Sequence, residues 1–449
     1  MRITVIGGAG YVGLITAVGF AQLGNDVVAV DINQEAVNLL ATGRPIIHEE
    51  GLETALNAVI SAGTIRFTTD LVDSVRGARV IFIAVGTPPH EDGSPNVTAL
   101  REVAKNLAAT VESGTIVAIK STVPIGTVSE IEETLAFHGA SDIEVIFNPE
   151  FLSEGTALKD FFHPNRIILG TSSPRAAATM RELYAPFLSG GGHLHPEIDM
   201  KRDVLLVETG IENAQIIKYA SNAFLATRIS FVNEIASICE HLGADVSMVM
   251  KGLGMDPRIG STYLSPGIGF GGPCLEKDLQ ALTFSAAIHG YKANFLEAAL
   301  RRNDDQVNHI IDRARTLCGG SLSGRRIAAL GLAFKPGTND VRSSLSVRII
   351  DRLLNLGAQV AMHDPVAIAE ATTLLPAAEP AATPYAAASG ADLLLVLTDW
   401  PEYKNLDWAQ IATVLRGTAI FDGRNSLNPV VITAAGLTYN GVGTGTSVA

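Results

Sequence analysis

Short apolar runs alternate with helical stretches through the first third of the chain. Each run predicts a strand, and strands that alternate with helices indicate a parallel, doubly wound sheet. The predicted strands are Ile3–Ile6, Asp26–Val30, Val80–Val85, Thr115–Ile119, Glu144–Phe147 and Arg166–Leu169.

A long helical pattern separates this region from a second one of the same class. It runs from about Asn213 to Leu242 with no Pro or Gly before Gly243, which predicts a single helix between two α/β regions. The second region begins near Arg325, shows no sequence repeat of the first, and ends in a Gly/Thr/Ser-rich tail after Gly441 that we expect to be frayed. Its predicted strands are Arg326–Leu330, Gln359–Met362, Leu393–Leu397 and Ala419–Phe421.

Length and charge exclude several classes of protein. The chain has 449 residues, too many for one ordinary core, so we expect two or three domains. Its formal net charge is -13, which disfavours non-specific binding to nucleic acid or to an anionic membrane. No apolar run reaches the roughly 18 residues that a membrane span needs, and no secretory leader is evident. We therefore expect a cytoplasmic protein.

The cysteine content bears on metals and disulfides. Three cysteines occur without CxxC spacing, which argues against a disulfide framework and against a zinc site. No metal site is predicted.

A glycine-rich turn follows the first predicted strand. Gly8 permits the tight turn, Gly10 lets backbone N–H groups reach a pyrophosphate, and Gly13 allows close packing of helix on sheet. Asp31 ends the second strand, where a carboxylate accepts hydrogen bonds from ribose hydroxyls and repels a 2′-phosphate. This context predicts a dinucleotide site that favours NAD over NADP, although the motif alone leaves FAD open.

The segment from Gly269 to Asp278 places a cysteine after three glycines and a proline. Pro273 suits the first turn of a helix, so we expect Cys274 within that turn, where a helix N-terminus favours the thiolate. Asp278 lies four residues on and shares a helical face with it. A nucleophile beside an acid–base residue is a catalytic arrangement. The alternative is a small buried hydrophobic residue, which is our interpretation of the other two cysteines.

Polar residues on the long helix and after three strands complete the candidate site. Lys218 and Asn222 are spaced i, i+4 and could hold a substrate oxygen, although a solvated stripe gives the same pattern. The segments Val85–Pro88, Lys120–Pro124 and Asn148–Gly155 each follow a predicted strand. Because ligands bind beyond the carboxyl ends of parallel strands, these segments predict a crevice. The last segment carries Glu150 and Glu154, which could act as bases.

Together these segments resemble the UDP-glucose 6-dehydrogenase family, a branch of the nucleotide-sugar dehydrogenases. The similarity extends from Gly8 to about Arg424 and keeps the order of nine blocks. The blocks are GAGYVG (8–13), VGTP (85–88), KSTVPIGT (120–127), NPEFLSEG (148–155), IKYASNAFLATRISFVNE (217–234), GMDPRIG (254–260), GFGGPCLEKD (269–278), GLAFKPGTNDVR (331–342) and DGR (422–424).

The resemblance implies an α/β fold of two Rossmann-like doubly wound domains joined by a long central helix that also forms a homodimer. It implies an NAD-binding domain over 1–205, a central helical and dimerisation domain over 206–310, and a nucleotide-sugar-binding domain over 311–449. Members of the family use two NAD to oxidise C6 of UDP-glucose from alcohol to acid through a cysteine thiohemiacetal and thioester.

The resemblance also implies roles for individual residues. Cys274 is the nucleophile, Lys218 stabilises developing oxyanions, and Glu150 acts as general acid and base in thioester hydrolysis. Asp278 and Thr122 position or deprotonate the water, Asn222 holds a sugar or water oxygen, and Arg258 reaches the substrate across the dimer interface. The implied NAD-binding residues are Gly8, Gly10, Tyr11, Val12, Gly13, Asp31, Thr87, Thr122, Glu154 and Arg342. The implied substrate-binding residues are Glu150, Phe151, Leu152, Glu154, Lys218, Asn222, Arg258, Ser265, Gly271, Lys335 and Arg424.

Three positions depart from the family pattern. Ala36 stands where the family usually has a basic residue near the adenosine, which bears on NAD affinity. Pro273 and Glu276 replace other residues beside the cysteine, which bears on sugar and base preference. GDP-mannose or an N-acetylhexosamine nucleotide therefore remains an alternative substrate, although GFGGPCLEKD resembles the N-acetyl branch less. A nucleotide-sugar-binding protein without turnover is the alternative from another class.

Overall fold

The computed structural model describes residues 1–90, 92–188 and 198–444. The chain divides into two compact units. The first unit comprises Met1–Ser221 and Gln280–Gly290, and the second comprises Asn222–Leu279 and Tyr291–Ala449.

The described residues of the first unit form an eight-stranded sheet with helices on both faces. Its strands are β1 (Arg2–Ile6), β2 (Asp26–Val30), β3 (Ile65–Thr68), β4 (Val80–Ile83), β5 (Ile116–Ile119), β6 (Glu144–Phe147), β7 (Arg166–Gly170) and β8 (Leu205–Thr209). Its helices are α1 (Tyr11–Gln22), α2 (Gln34–Ala41), α3 (Leu52–Ser61), α4 (Leu71–Val75), α5 (Thr98–Ala108), α6 (Thr127–Phe137), α7 (Ala157–Phe162) and α8 (Pro174–Tyr184), followed by a 3₁₀ turn at Ala185–Phe187.

Alternate residues of the central strands enter two separate cores. In β4, Val80 and Phe82 pack in the core that contains α1, whereas Ile81 and Ile83 pack in the core that contains α5 and α6. A strand that buries both faces needs a nearly continuous apolar sequence, and this is why these strands were predictable. The two cores confirm the doubly wound arrangement.

The sheet order is β3-β2-β1-β4-β5-β6-β7-β8. The first six strands are parallel, but β7 pairs antiparallel with β6 through Phe147 and Gly170. The prediction of a parallel sheet was therefore wrong at β7. Strand direction depends on the path of the connection between strands, which apolar patterning does not encode.

Four helices follow the first sheet along the chain. They are α9 (Ile211–Leu242), α10 (Val246–Gly254), α11 (Leu275–Ile288) and α12 (Asn294–Leu317). Helix α9 has 32 residues, which confirms the predicted long helix, and its residues belong to both units. Among the described residues, no helix combines the length and apolar character needed to cross a bilayer.

The second unit contains a six-stranded parallel sheet among its described residues. Its strands are β9 (Arg326–Leu330), β10 (Gln359–His363), β11 (Glu379–Pro380), β12 (Leu393–Val396), β13 (Ala419–Asp422) and β14 (Thr438–Gly441). Its further helices are α13 (Leu345–Asn355), α14 (Ile368–Leu374), α15 (Pro384–Ala388), α16 (Pro401–Lys404), α17 (Trp408–Val414) and α18 (Pro429–Ala434).

This second sheet repeats the topology of the first. Its order, β11-β10-β9-β12-β13-β14, matches that of the first six strands of the other sheet. Asp364 follows β10 as Asp31 follows β2, and each accepts from backbone N–H groups of the turn after the preceding strand. Asp364 also accepts a hydrogen bond from Trp400, and it is 3 % exposed. The two regions therefore share topology without a visible sequence repeat.

The chain beyond β14 is ordered as far as it is described. Val442 is buried, and the N–H of Gly443 donates to Glu240 Oε1 at 2.7 Å. The expected fraying is therefore wrong for 442–444, while 445–449 lie outside the described residues.

Candidate active site

The glycine-rich turn after β1 has the close backbone packing that the motif predicts. A Cβ on Gly13 would lie 2.0 Å from the carbonyl oxygen of Gly7, and one on Gly8 would lie 2.7 Å from Ala29 Cβ. Asp31 Oδ2 accepts from the N–H of Ala9 at 3.0 Å, which fixes the carboxylate beside the turn. Only glycine fits at these positions, so the turn can approach a pyrophosphate closely.

The remaining predicted NAD residues of the first unit lie in the same part of the sheet. Tyr11 and Val12 open α1, whose N-terminus favours a negative group. The hydroxyl of Thr87 donates to the carbonyl oxygen of Thr122 at 2.8 Å, which joins the segments after β4 and β5. Ala36 is buried in the core of the first unit. These residues fit a bound dinucleotide.

The three polar segments beyond β4, β5 and β6 form one continuous edge. The hydroxyl of Ser121 donates to the carbonyl oxygen of Val85 at 2.6 Å, and Lys120 Nζ lies 3.3 Å from Asn148 Oδ1. The sequence reasoning expected these segments to share a crevice, and the hydrogen bonds place them side by side.

Glu150 and Lys218 form a buried ion pair within the first unit. Lys218 Nζ donates to Glu150 Oε1 at 2.9 Å and to the Glu150 carbonyl oxygen at 2.8 Å. The side chain of Lys218 is 4 % exposed and that of Glu150 is 10 % exposed. Burial alone would raise the pKa of Glu150, but the ammonium of Lys218, the N–H of Leu152 and the charge of Lys120 hold that pKa below its usual value. Glu150 is therefore a carboxylate at neutral pH, which a base requires.

Phe151 and Leu152 follow Glu150 directly. Arg166 stacks over the Phe151 ring at 3.8 Å from its centroid, and Lys218 Nζ lies 5.3 Å from that centroid. The Phe151 ring therefore covers one side of the ion pair, and the π-electrons of its face attract the cations. Glu154 is half-buried two residues further on.

Tyr11 and Glu49 connect this loop to the glycine-rich turn, a link that the sequence reasoning missed. The Tyr11 hydroxyl donates to Glu49, and both oxygens accept from the N–H of Gly155 at 2.8 Å. Glu49 is 8 % exposed and also accepts from the N–H of Leu158. A buried carboxylate with three donors is a structural anchor, and its position 38 residues after Tyr11 gives no local signal in the sequence.

Cys274 is exposed and stands immediately before α11 in the second unit. Its carbonyl oxygen accepts from the N–H of Asp278 at 2.9 Å, which makes Cys274 the residue that caps the helix. The prediction that the helix starts at Pro273 was wrong, because Pro273 and Cys274 form the preceding turn and Leu275 is the first helical residue. The thiol still lies at a helix N-terminus, an arrangement that favours thiolate.

Asp278 lies one turn after the cysteine and is held by two donors. Asn222 Nδ2 donates to Asp278 Oδ2 at 2.6 Å, and Lys277 Nζ donates to Oδ1 at 2.5 Å. Asp278 is 1 % exposed. The sequence reasoning identified Asn222 and Asp278 separately, but not that they bond to each other or that Lys277 neutralises the carboxylate.

Buried amides hold the loop that precedes the cysteine. Asn233 Oδ1 accepts from the N–H of Gly267 at 2.8 Å, Gln306 Nε2 donates to the Gly267 carbonyl oxygen at 2.6 Å, and Asn303 bonds both the N–H and the carbonyl oxygen of Phe270. These amides were missed in the sequence. The sequence signal that could have found them is a polar residue at a position where the helical pattern of α9 or α12 is otherwise apolar. Of the predicted substrate residues here, Ser265 is exposed and Gly271 is half-buried.

Arg424 links that loop to the second sheet. Its guanidinium donates to the carbonyl oxygens of Leu397 at 2.8 Å, Phe334 at 3.3 Å and Gly269 at 3.4 Å. Burial lowers the pKa of Arg424, although Asp399 and Asp422 oppose this, and the group stays charged. The arrangement can present a fixed cation to an anionic ligand.

The other predicted cations of the second unit are less confined. Lys335 Nζ lies 5.5 Å from the centroid of the Phe334 ring. Arg258 pairs with Asp256 at 2.6 Å, and its side chain is 87 % exposed. Arg342 pairs with Asp340 and is also exposed. Among the residues that the structure describes, no group of three or more His, Cys, Asp or Glu side chains is placed to hold a metal ion.

Three family models match the chain in order. The NAD binding domain of the UDP-glucose/GDP-mannose dehydrogenase family matches residues 1–188, the central domain matches 212–305 and the UDP binding domain matches 328–429.

Curated relatives and solved structures agree with these matches. The chain is 41% identical over 445 residues to UDP-glucose 6-dehydrogenase TuaD of Bacillus subtilis (strain 168), covering 98% of this chain and 93% of that protein. It is 35% identical to a UDP-glucose dehydrogenase structure from Pyrobaculum islandicum, with a TM-score of 0.87 and coverage of 98% and 97%. It is 29% identical to a UDP-D-ManNAc dehydrogenase structure from Pyrococcus horikoshii, with a TM-score of 0.84 and coverage of 99% and 100%.

Proposed function

Because the chain belongs to the UDP-glucose/GDP-mannose dehydrogenase family, an NAD-dependent family of nucleotide-sugar dehydrogenases, we propose that it converts UDP-glucose to UDP-glucuronate. The reaction removes four electrons from C6 and consumes two NAD and one water per sugar. Bound NAD, held by the turn at Gly8–Gly13 with Asp31 at the ribose, would accept one hydride in each oxidation.

The thiolate of Cys274 acts on the aldehyde between the two oxidations. Its sulfur adds to C6 to give a thiohemiacetal, and loss of the second hydride leaves a thioester. The ammonium of Lys218 stabilises the oxyanion at each stage, since charge develops on that oxygen. This covalent link keeps the reactive aldehyde from escaping.

Hydrolysis completes the reaction. Water adds to the thioester carbon, the carbon–sulfur bond breaks, and the sulfur leaves as thiolate. Glu150 takes a proton from the water. Asp278, Asn222 and Thr122 position that water molecule. We further propose that Glu154 and Arg342 lie near NAD.

The observation that carries this proposal is the position of the Cys274 thiol. Cys274 is exposed, caps a helix N-terminus, and lies one turn from a buried carboxylate that Asn222 holds. Lys218 lies one turn from Asn222 on α9 and is paired with Glu150. A structural cysteine would need none of these features.

Counting NADH per sugar consumed tests the proposal. The protein would be mixed with limiting UDP-glucose and excess NAD. Two NADH per sugar is the expected result. One NADH per sugar would mean that the aldehyde is released, and none would favour a binding protein without turnover.

GDP-mannose is the competing substrate. The fold does not decide between sugars, because the TM-scores of 0.87 and 0.84 belong to dehydrogenases of different nucleotide sugars. We assign the sugar nucleotide to Arg424, Lys335, Phe151, Leu152 and the loop Ser265–Gly271. Comparing kcat/KM for UDP-glucose, GDP-mannose and a UDP-N-acetylhexosamine distinguishes them, and UDP-glucose should give the highest value.

We propose the domain roles that the sequence suggested: NAD binding over 1–205, a central and dimerising region over 206–310, and nucleotide-sugar binding over 311–449. A homodimer is supported by a groove of about 570 Å³ in the second unit that exposes aromatic rings. Phe224, Phe231 and Phe295 line it and are 62%, 51% and 69% exposed. Arg258 lines the same groove, where it could reach a partner's substrate.

Sedimentation tests the dimer. Phe231→Glu should shift the protein to monomer, since it would place a charge on the apolar groove, whereas Phe137→Glu on the exposed end of α6 should not. A Phe231→Glu protein that sediments as the wild type would contradict this interface.

The cytoplasmic location stays a prediction.

A further inference from the structure

Lys120 is a buried amine with no role in the chemistry described above. It follows β5 and is 6 % exposed. Its Nζ lies 3.3 Å from Asn148 Oδ1, 3.5 Å from the Asn148 carbonyl oxygen and 5.5 Å from the centroid of the Phe82 ring. A cation so far from water is costly unless its charge is used or compensated.

Lys120 and Lys218 hold the same short segment from opposite ends. Lys120 contacts the backbone oxygen of Asn148, and Lys218 contacts the backbone oxygen of Glu150, with only Pro149 between them. The two lysines come from different elements, the end of β5 and the helix α9. The backbone at Glu150 is therefore fixed by two buried ammonium groups.

Neutral hydrogen bonds also hold Asn148. Its Nδ2 donates to the Ile168 carbonyl oxygen at 2.8 Å, and its Oδ1 accepts from the Tyr184 hydroxyl at 2.7 Å. Tyr184 and Lys120 thus share one acceptor atom, but only Lys120 brings a charge. This difference allows the structural and electrostatic contributions to be separated by mutation.

Lys120 and Glu150 each shift the pKa of the other. Burial lowers the pKa of Lys120 to about 8, Glu150 opposes this shift and Lys218 adds to it. Lys120 is therefore mostly charged at pH 7, and its charge lowers the pKa of Glu150. The small cavity beside Glu150 brings further charged or titratable groups to this face: Asp160, His163, Arg166 and Tyr184.

We propose that Lys120 is a positioning residue for the hydrolytic step, whose ammonium fixes the Asn148–Glu150 segment and keeps the Glu150 carboxylate ready to take the proton from water. This inference rests on the proposed function and extends it to a residue outside the reacting groups. In that step the water oxygen bonds to the thioester carbon, Cys274 leaves as thiolate, and one water proton goes to Glu150. The proton of the new carboxylic acid goes to solvent.

The test is a single-turnover experiment on Lys120→Met, Lys120→Arg and Tyr184→Phe. Enzyme would be mixed with UDP-glucose and NAD, and the sugar adduct on Cys274 would be followed by intact mass. For Lys120→Met we expect two NADH per site at close to the normal rate, followed by slower adduct decay. At a pH on the acidic limb the decay should be about tenfold slower, because there a rise of one unit in the pKa of Glu150 lowers the carboxylate fraction tenfold. Lys120→Arg should restore most of the decay rate.

The pH profile of adduct decay distinguishes charge from structure. Loss of the Lys120 cation raises the pKa of Glu150, so the acidic limb of Lys120→Met should move up by about one pH unit. Tyr184→Phe removes a hydrogen bond to the Asn148 side chain without changing the charge. The acidic limb of the Tyr184→Phe profile should therefore stay at the wild-type pH. An unshifted limb in Lys120→Met, or an equal shift in Tyr184→Phe, would overturn the proposal.

Glu150→Gln separates this inference from the proposed function. If that variant accumulates the adduct and Lys120→Met does not, the hydrolytic role of Glu150 holds and the role of Lys120 fails. If Glu150→Gln does not accumulate it, the assignment of Glu150 fails as well. Should Lys120→Met not fold, Lys120→Gln takes its place, since it keeps a hydrogen-bond donor toward Asn148 but removes the charge. An acidic limb in Lys120→Gln at the wild-type pH would overturn the proposal.

Discussion

Replacing Lys218 with Met should destabilise the first unit in a way that depends on pH. The change removes the cation from a pair whose side chains are 4 % and 10 % exposed and whose atoms are 2.9 Å apart. Removing one partner of a buried pair costs about 3–5 kcal/mol of the free energy of unfolding, because the other charge stays buried. Adding Glu150→Gln to this variant should recover part of that loss.

The sign of the pH dependence follows from the lowered pKa of Glu150 in the folded protein. A depressed carboxyl pKa stabilises the fold above the unfolded value of about 4.3 and stops doing so as the pH falls through the folded value. The difference between wild type and Lys218→Met should therefore be larger at pH 7 than at pH 4.

The assay is urea unfolding followed by far-UV circular dichroism. Both tryptophans, Trp400 and Trp408, lie in the second unit, so their fluorescence reports that unit separately. Lys105→Met is a matched control, because its pair with Glu102 is 54% and 60% exposed and should be worth about 0–1 kcal/mol. Equal losses in Lys218→Met and Lys105→Met, or a loss independent of pH, would refute the reasoning.

The other predictions concern the dinucleotide turn and the thiol. Gly13→Ala should weaken NAD binding by at least about tenfold in calorimetry, since its Cβ would lie 2.0 Å from a carbonyl oxygen, whereas Gly252→Ala, with nothing within 4 Å, should not. Asp31→Asn should narrow the preference for NAD over NADP in kcat/KM, and an unchanged ratio would count against its ribose role. Cys274→Ser should lose nearly all NADH production, because an alcohol is a poorer nucleophile than a thiolate, while the buried Cys239→Ser should keep it.

The strands that the sequence failed to predict are all at the edges of the two sheets. They are β3 and β8 in the first sheet and β11 and β14 in the second. An edge strand has one neighbour and buries less of its surface, so its apolar run is weaker. Leu205 in β8, for example, is 68% exposed, and β11 contains Pro380, which only an edge strand tolerates. The interior strands were predicted because both faces are apolar.

The candidate site was predictable where its groups follow local spacing. Lys218 and Asn222 are one helical turn apart, and Asp278 follows Cys274 by one turn, so periodicity placed each pair. The partners across sequence were not predictable. The contact between Asn222 and Asp278 spans 56 residues and the pair of Lys218 with Glu150 spans 68. Such contacts depend on how elements pack, which no local pattern specifies.

The central claim is that the sulfur of Cys274 bonds to the oxidised carbon of the sugar. Enzyme quenched during turnover with UDP-glucose and NAD would be digested and its cysteine peptides measured by mass spectrometry, with Glu150→Gln used to slow hydrolysis. The account predicts a nucleotide-sugar acyl adduct on the Cys274 peptide alone, removed by hydroxylamine. Production of two NADH per sugar with no adduct on that peptide in either protein would contradict it.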